Sequence, residues 1–299
     1  MRRSPSPTTS SRRSQAPSDH HGHGADQGPH LARAPTSTPT PGTAPPTSHA
    51  PGSRPAHQRR SGRVTGTRNR SGNTHKGQFM KIGIIGAGNI GGNLTRRLTS
   101  LGHNVSAANS RGPETLTALA EETGATPVTV TEAARDAELV VVTIPLKNIP
   151  DLPKNVFDGA AEGFVVLDTG NYYPKERDGR IADIEDEGLT ESRWTQNHLG
   201  HPVVKAFNGT YAQDILDRPR PAGDPERIAV PVAGDDEAAK NTVRALIDEL
   251  GFDTVDAGGI DESWRQQPDT PVYGLRAGVD AVTKALADAS PERPAAFRG

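Results

Sequence analysis

The sequence predicts an α/β fold built on a doubly wound, mostly parallel sheet, with a small second α/β lobe. Strand-like apolar runs alternate with amphipathic helical patterns between residues 81 and 207, the order typical of a parallel sheet. Residues 140–142 are three consecutive valines, as in a strand buried on both faces. A polar, proline-rich stretch at 217–227 then precedes a further strand, helix and strand, which indicate the smaller lobe.

Each element is predicted from its local pattern. The first helix carries Ile90, Leu94 and Leu98 on one face and ends near Gly102. A second helix starts at Pro113, because proline suits the first helical position. Strands are predicted at 81–85, 103–108, 126–130, 138–144, 163–168 and 202–207 in the larger sheet and at 228–233 and 252–256 in the lobe, whose helices cover 236–250 and 274–287.

Composition divides the chain near residue 79. The first 79 residues are mostly Pro, Ser, Thr, Arg, His and Gly, and they hold too few large apolar side chains to offset the entropy of ordering. They carry 12 of the 34 basic and 2 of the 36 acidic side chains, a formal charge of +10 against −12 for the remainder. The predicted organisation is a disordered N-terminal tail at 1–79, a dinucleotide-binding domain at 80–208, the lobe at 209–289 and a frayed end at 290–299.

The basic tail raises the question of a nucleic-acid or membrane partner, since clustered cations bind polyanions. Its arginines are scattered, and no aromatic side chains are interleaved with them for base stacking. We therefore expect neither partner, and no specific metal site at 20–23 despite three histidines there. Because Met80 opens the first strand directly, one hypothesis is that residues 1–79 are an upstream extension from a mis-assigned start codon.

Several function classes are excluded by composition. The absence of cysteine rules out disulfides, iron–sulfur clusters, thiol catalysis and thiolate-bound zinc. No apolar run approaches the roughly 18 residues of a membrane span, and no signal-peptide core follows the N-terminal arginine pairs. The prolines oppose the amphipathic helix of a transit peptide, so a cytoplasmic protein without a membrane partner is expected.

A glycine-rich turn follows the first strand and predicts a dinucleotide-binding Rossmann domain. Gly86, Gly88 and Gly91 have the GxGxxG spacing, in which the glycines form a tight turn, let the backbone approach a pyrophosphate and let the helix pack closely on the strand. Ala87, Asn89 and Ile90 complete the segment that would bind the pyrophosphate.

The end of the second strand predicts which dinucleotide binds. NAD-binding domains place Asp or Glu about 20 residues after the glycines, whereas this chain has Ser110 and Arg111 after Asn109. A hydroxyl and a permanently charged guanidinium suit the 2′-phosphate of NADP(H). The alternative is that Ser110 caps a helix and Arg111 is a solvated loop charge.

Open α/β sheets bind ligands beyond the carboxyl ends of their strands, which directs attention to three further segments. Ile144 and Pro145 follow the fourth strand and could press on the nicotinamide ring. Asn171 and Asn208 follow the fifth and sixth strands and could hydrogen-bond a carboxamide or a substrate carbonyl, although turn formation explains both equally well. For Tyr172 and Tyr173 half-buried packing is the favoured interpretation.

The sequence shows no evident general acid or general base for a proton-coupled reduction, so no catalytic residue is assigned. His198 and His201 precede the sixth strand at its amino end, where structural or solvent-exposed roles are expected. Lys205 lies within an apolar strand; a catalytic lysine is one interpretation, and a strand-edge lysine that reaches solvent is the safer one.

Residues 80–274 resemble the NADPH-dependent reductases of coenzyme F420, the 8-hydroxy-5-deazaflavin:NADPH oxidoreductases. The resemblance rests on the strings GIIGAGNIGGNL, NSRGPETL, VVVTIP, VVLDTGNYYP, VVKAFN and VPVAGDDEAAK. It implies hydride transfer between nicotinamide C4 and deazaflavin C5, a step that needs positioning more than a protein acid. It also implies NADP(H) as cofactor, F420 as co-substrate and a homodimer.

The chain departs from the family pattern in two places. A further basic side chain usually follows the Ser-Arg pair, whereas Gly112, Pro113 and Glu114 follow here, which predicts weaker NADP binding. Leu146, Lys147 and Asn148 do not closely match the charged or aromatic residues expected beside the deazaflavin. Two alternatives therefore stay open: a reductase of another small carbonyl, imine or quinone, and a non-catalytic NADP-binding sensor.

Overall fold

The computed structural model of the chain describes residues 79–299. The predictions of a disordered tail and of an unspecific histidine cluster concern residues that lie outside this described part. No helix within residues 79–299 is long and apolar enough to cross a membrane. The same residues contain no group of three or more side chains arranged to hold a metal ion.

Six parallel strands form the main sheet, in the order β3-β2-β1-β4-β5-β6. This is the strand order of the doubly wound dinucleotide-binding fold, so the predicted fold class is confirmed. The strands are β1 (Lys81–Ile85), β2 (Asn104–Ala108), β3 (Thr126–Pro127), β4 (Leu139–Val142), β5 (Val165–Asp168) and β6 (Val203–Lys205).

All six strands lie inside the ranges predicted from the sequence, and β3 keeps the smallest fraction of its predicted length. Pro127 has no backbone N–H to extend a ladder. Beyond it, the Glu132 carboxylate accepts hydrogen bonds from the backbone N–H and the hydroxyl of Thr129, at 3.1 and 2.7 Å. This local turn replaces the end of the predicted strand.

The helices lie on both faces of the sheet and in the segments that follow it. They are α1 (Asn89–Ser100), α2 (Thr117–Thr123), α3 (Ala182–Glu185), α4 (Glu191–Leu199), α5 (Asp214–Asp217), α6 (Glu237–Leu250) and α7 (Val279–Ala287). Short 3₁₀ helices cover Pro113–Leu116, Leu146–Asp151, Ile260–Gln266 and Ala295–Phe297, and a π-type turn covers Pro174–Asp178.

The second sheet has two parallel strands, β7 (Ala229–Val232) and β8 (Asp253–Asp256), joined by α6. Asp236 caps α6 through its carboxylate, which accepts the N–H groups of Ala238 and Ala239. The last helix starts at Val279 rather than at residue 274, because the preceding backbone pairs with the sheet: the carbonyl of Ala277 accepts the N–H of Ala229 at 2.8 Å.

One of the three hydrophobic clusters among the described residues runs through both sheets. Lys205 and Ala233 exchange two backbone hydrogen bonds of 2.8 and 3.0 Å, which join β6 to the residue after β7. Phe207 and Phe252 pack edge to face beside this bridge, with ring centroids 6.4 Å apart, and both are fully buried. The second sheet thereby covers the outer edge of β6 at the carboxyl end of the main sheet.

Candidate functional site

The glycine turn between β1 and α1 has a conformation that two of its glycines require. Gly86 has a φ of +109°, and a Cβ there would lie 2.3 Å from the carbonyl oxygen of Thr143. A Cβ at Gly91 would lie 1.9 Å from the carbonyl oxygen of Gly86. Side chains at either position would therefore separate the helix from the sheet.

Gly88 differs from both, because the fold does not need a glycine there. Its φ of −79° is accessible to any residue, and a Cβ would meet nothing within 4 Å. It is the N-cap residue of α1, and no side chain caps this helix. The open N–H groups of the first turn, at Asn89 and Ile90, and the helix dipole form a surface suited to an anion.

The loop after β2 lies beside this turn. The N–H of Gly86 donates to the carbonyl of Ala108 at 2.8 Å, so the two segments are neighbours. Asn109 holds the loop by accepting the backbone N–H of Arg111 at 2.9 Å. Ser110 and Arg111 are both exposed, and within residues 79–299 neither side chain has a hydrogen-bond partner. A hydroxyl and a guanidinium are thus presented next to the glycine turn.

Ile144 and Pro145 continue β4 at the same edge of the sheet. The Cγ2 atom of Ile144 lies 2.8 Å from the position of a Cβ at Gly86, so this side chain packs directly against the glycine turn. Pro145 is half-buried and starts the 3₁₀ helix Leu146–Asp151. The structure therefore brings the predicted pyrophosphate and nicotinamide segments together.

Asn171 and Asn208 also meet, and they bond to each other. The Asn171 amide donates to the Asn208 carbonyl at 2.8 Å, and the Asn208 amide donates to the Asn171 side-chain oxygen at 3.0 Å. Gln266 completes this network, since its carbonyl accepts from Asn208 at 2.6 Å and its own amide donates back to the Asn208 side chain at 3.0 Å. Sequence reasoning missed Gln266, which lies 58 residues further along the chain.

The interpretation of Lys205 as a strand-edge lysine that reaches solvent is wrong. Its side chain is completely buried. The ammonium donates to the carbonyl of Gly170 at 3.0 Å and lies 3.5 Å from a carboxylate oxygen of Glu191, which is also buried. Arg293 donates to the other oxygen of Glu191 at 2.8 Å. The edge of β6 is covered because Ala233 pairs with it, and this long-range pairing is not visible in the local sequence.

The two tyrosines after β5 have different environments. Tyr172 is fully buried, and its hydroxyl donates to Glu185 at 2.7 Å and accepts the N–H of Ile181 at 2.9 Å. Burial raises the pKa of Tyr172 to about 12. Tyr173 is half-buried, as expected, and its hydroxyl hydrogen-bonds to that of Tyr273.

Asp269 is a further polar residue that sequence reasoning missed. Neither of its buried carboxylate oxygens has a hydrogen-bond partner among the described residues, and its φ is +79°. Burial raises the pKa of Asp269 to about 6, although the nearby positive charge of Arg293 opposes this shift. The carboxylate is thus held in an environment that disfavours its charge.

Replacing Asp269 with asparagine is expected to stabilise the protein at neutral pH. A folded-state pKa of about 6 lies above the unfolded value near 3.9, so stability falls as pH rises from about 4 to about 6 and is constant above that range. Asp269→Asn should remove that decline, with a gain of about 1–2 kcal/mol at pH 7.5. Urea unfolding from pH 4 to pH 8 measures it. The control Asp158→Asn, at an exposed site, should leave the pH dependence unchanged, and an equal result for both variants would contradict the assignment.

Residues 81–172 match the family described as NADP oxidoreductase coenzyme F420-dependent. The match covers β1 to β5, including the glycine turn, the Ser110–Arg111 loop and the end of β4. The resemblance to this family is confirmed. The matched segment contains the residues predicted to bind the pyrophosphate and the 2′-phosphate, whereas Lys205, Gln266, Tyr273 and Arg293 lie outside it.

Three similar proteins extend this comparison. A hypothetical protein from Sinorhizobium meliloti, SMa0349, has 28% sequence identity and a TM-score of 0.57, over 68% of this chain and 97% of its own. A provisionally named F420-dependent NADP reductase from Arthrobacter sp. FB24 has 25% identity and a TM-score of 0.49, over 60% of this chain and 86% of its own. The protein YjhV of Escherichia coli (strain K12) is 53% identical over 53 residues, which are 18% of this chain. The chain spans about two fifths (39%) of the length of this curated relative.

Proposed function

We propose that the chain is an NADPH-dependent oxidoreductase that transfers hydride to a deazaflavin of the coenzyme F420 type. The observation that carries the proposal is a juxtaposition within the family-matched segment. The N-terminus of α1 at Gly88 lies beside the Ser110–Arg111 loop. Among residues 79–299 no side chain caps this N-terminus, and the side chains of Ser110 and Arg111 have no hydrogen-bond partner. The first suits a pyrophosphate and the second a 2′-phosphate.

Each group on the chain has a definite task in this proposal. The N–H groups at Asn89 and Ile90 bind the pyrophosphate, and Arg111 reads the phosphate that distinguishes NADP from NAD. Ile144 and Pro145 orient the nicotinamide at the carboxyl edge of β4. When bound, NADPH supplies the hydride from C4, and the protein contributes alignment of the two reacting carbons and exclusion of water.

The cofactor half of the proposal is tested at Arg111. Arg111→Ala should weaken NADPH binding by about 2–3 kcal/mol, because a charge-assisted hydrogen bond is lost, and should change NADH binding little. Calorimetric titration of both nucleotides measures this. Arg135→Ala is the matched control, since this exposed arginine lies at the amino end of the sheet. Equal losses for NADPH and NADH would show that Arg111 does not meet the phosphate.

The acceptor half is tested by anaerobic NADPH oxidation with a panel of acceptors. Oxidised F420 should be reduced, and cyclic imines, small ketones and quinones should be reduced much more slowly. Preference for an imine or carbonyl would move the function to that class of reductase. Tight NADPH binding without turnover of any acceptor would favour a sensor. We also propose a homodimer, which sedimentation equilibrium would test.

A further inference from the structure

Two tyrosine side chains meet at the carboxyl edge of the main sheet. Tyr173 lies two residues after Asn171, beyond β5. Tyr273 packs against the loop after β6: its Cα lies 3.5 Å from the position of a Cβ at Gly209, and the next residue, Gly274, donates its N–H to the Gly209 carbonyl at 3.2 Å. The pair therefore joins the loops after β5 and β6, where the sequence predicts contacts with the nicotinamide or the substrate.

The phenol pair has a hydrogen left over for a ligand. Among the described residues each hydroxyl has the other as its only hydrogen-bond partner. Two hydroxyls carry two hydrogens, and one hydrogen bond uses one of them, so the second is free to be donated elsewhere. Tyr172, in the same loop after β5, differs from the pair. Its hydroxyl already donates to Glu185 and accepts the N–H of Ile181.

The surroundings keep the pair protonated, so both hydroxyls carry a hydrogen before hydride transfer. Burial raises the pKa of both Tyr173 and Tyr273, and the charge of Glu191 acts in the same direction. Opposing this, the Arg177 guanidinium lies 5.0 Å from the centre of the Tyr173 ring. Arg177 also donates to the Asn171 carbonyl at 2.6 Å and to both carboxylate oxygens of Asp178 at 3.0 Å, which fixes it beside the loop after β5.

We propose that the Tyr173–Tyr273 pair donates the proton that accompanies hydride transfer in the proposed function. Reduction of a deazaflavin at carbon consumes one hydride and one proton. The hydride leaves C4 of NADPH. The proton leaves the hydroxyl whose hydrogen is not used within the pair and goes to a ring nitrogen of the acceptor. The O–H bond that breaks is replaced by an N–H bond on the acceptor. The remaining hydroxyl donates to the phenolate, which then takes a proton from solvent.

Conservative phenylalanine variants test this proposal. Tyr173→Phe and Tyr273→Phe are compared with Tyr172→Phe, which removes a neighbouring hydroxyl that the pair does not use. Single-turnover reduction of F420 by NADPH is followed in H₂O and D₂O, together with NADPH affinity and melting temperature. We expect at least one of the two pair variants to slow reduction about 100-fold, with a changed solvent isotope effect and unchanged NADPH affinity, while Tyr172→Phe keeps the wild-type rate.

The outcomes separate this proposal from the proposed function on which it rests. Wild-type turnover with both pair variants within about threefold of its rate, and with the same solvent isotope effect, would overturn the tyrosine assignment alone. A folded wild-type protein that reduces no acceptor would overturn both. If Tyr273→Phe does not fold, Tyr173→Phe and the solvent isotope effect still decide the question.

Discussion

Replacing Gly88 with valine is expected to abolish binding of both NADPH and NADH without disturbing the fold. The substituted side chain would extend into open space, since nothing lies within 4 Å of a Cβ at this position and the backbone φ of −79° is ordinary. That space is where the pyrophosphate must approach the turn. Calorimetry should show a loss of at least about 100-fold in affinity, or about 2.7 kcal/mol, for each nucleotide, with the melting temperature unchanged.

Two neighbouring substitutions serve as controls for Gly88→Val. Gly91→Ala should lower the melting temperature, because its Cβ would lie 1.9 Å from the Gly86 carbonyl oxygen. Gly88→Ala should fold normally and lose only part of the affinity. Wild-type nucleotide affinity in folded Gly88→Val would mean that the turn is not the pyrophosphate site.

Replacing Lys205 with methionine is expected to be among the most destabilising single changes in the core. Both the ammonium and its partner Glu191 are fully buried, and Arg293 alone would then face the carboxylate. Removing one member of a buried ion pair typically costs about 3–5 kcal/mol when the remaining charge has no other partner. Because Arg293 still pairs with Glu191, we expect a loss near the lower end of that range. The carbonyl of Gly170 would also lose its donor. Equilibrium urea unfolding measures the loss.

The control for Lys205→Met is Lys154→Met, at an exposed site where surface substitutions change stability by about 0.5 kcal/mol or less. A loss for Lys205→Met as small as that of the control would contradict the buried pair. A wild-type stability for the double variant Lys205→Met with Glu191→Gln would instead show that the pair contributes little net stability, because its desolvation cost equals its attraction.

The geometry of the glycine turn and of the neighbouring Ser110–Arg111 loop could be predicted because its signals are local. Gly86 and Gly91 leave no room for a side chain, and the turn that they form lies between β1 and α1. The glycine spacing and the flanking strand and helix patterns all occur within a short stretch of sequence. Ser110 and Arg111 follow β2 directly, so their position depends on one strand pairing. His198 also agrees with its expected structural role, since its ring contacts Trp194 and bonds to the carbonyl of that residue.

The contacts among the residues after β5 and β6 and the C-terminal segment could not be predicted, because they join distant parts of the chain. Tyr273 reaches Tyr173 across 100 residues, and Arg293 reaches Glu191 across 102. The burial of Lys205 depends on its pairing with Ala233 rather than on the apolar strand around it. The segment 290–299, for which fraying is predicted, carries Arg293 into this cluster. Local periodicity contains no information on such contacts.

Direct hydride transfer from NADPH to a deazaflavin carbon is tested most directly by isotope transfer. The full chain would be mixed anaerobically with NADPH deuterated at C4 on one face or the other and with oxidised F420, and the product would be analysed by mass spectrometry and proton NMR. We predict that deuterium from one of the two faces appears at the reacting carbon of the reduced deazaflavin without exchange with solvent. Reduced product that carries no label from either face, or no reduction while NADPH stays bound, would contradict it.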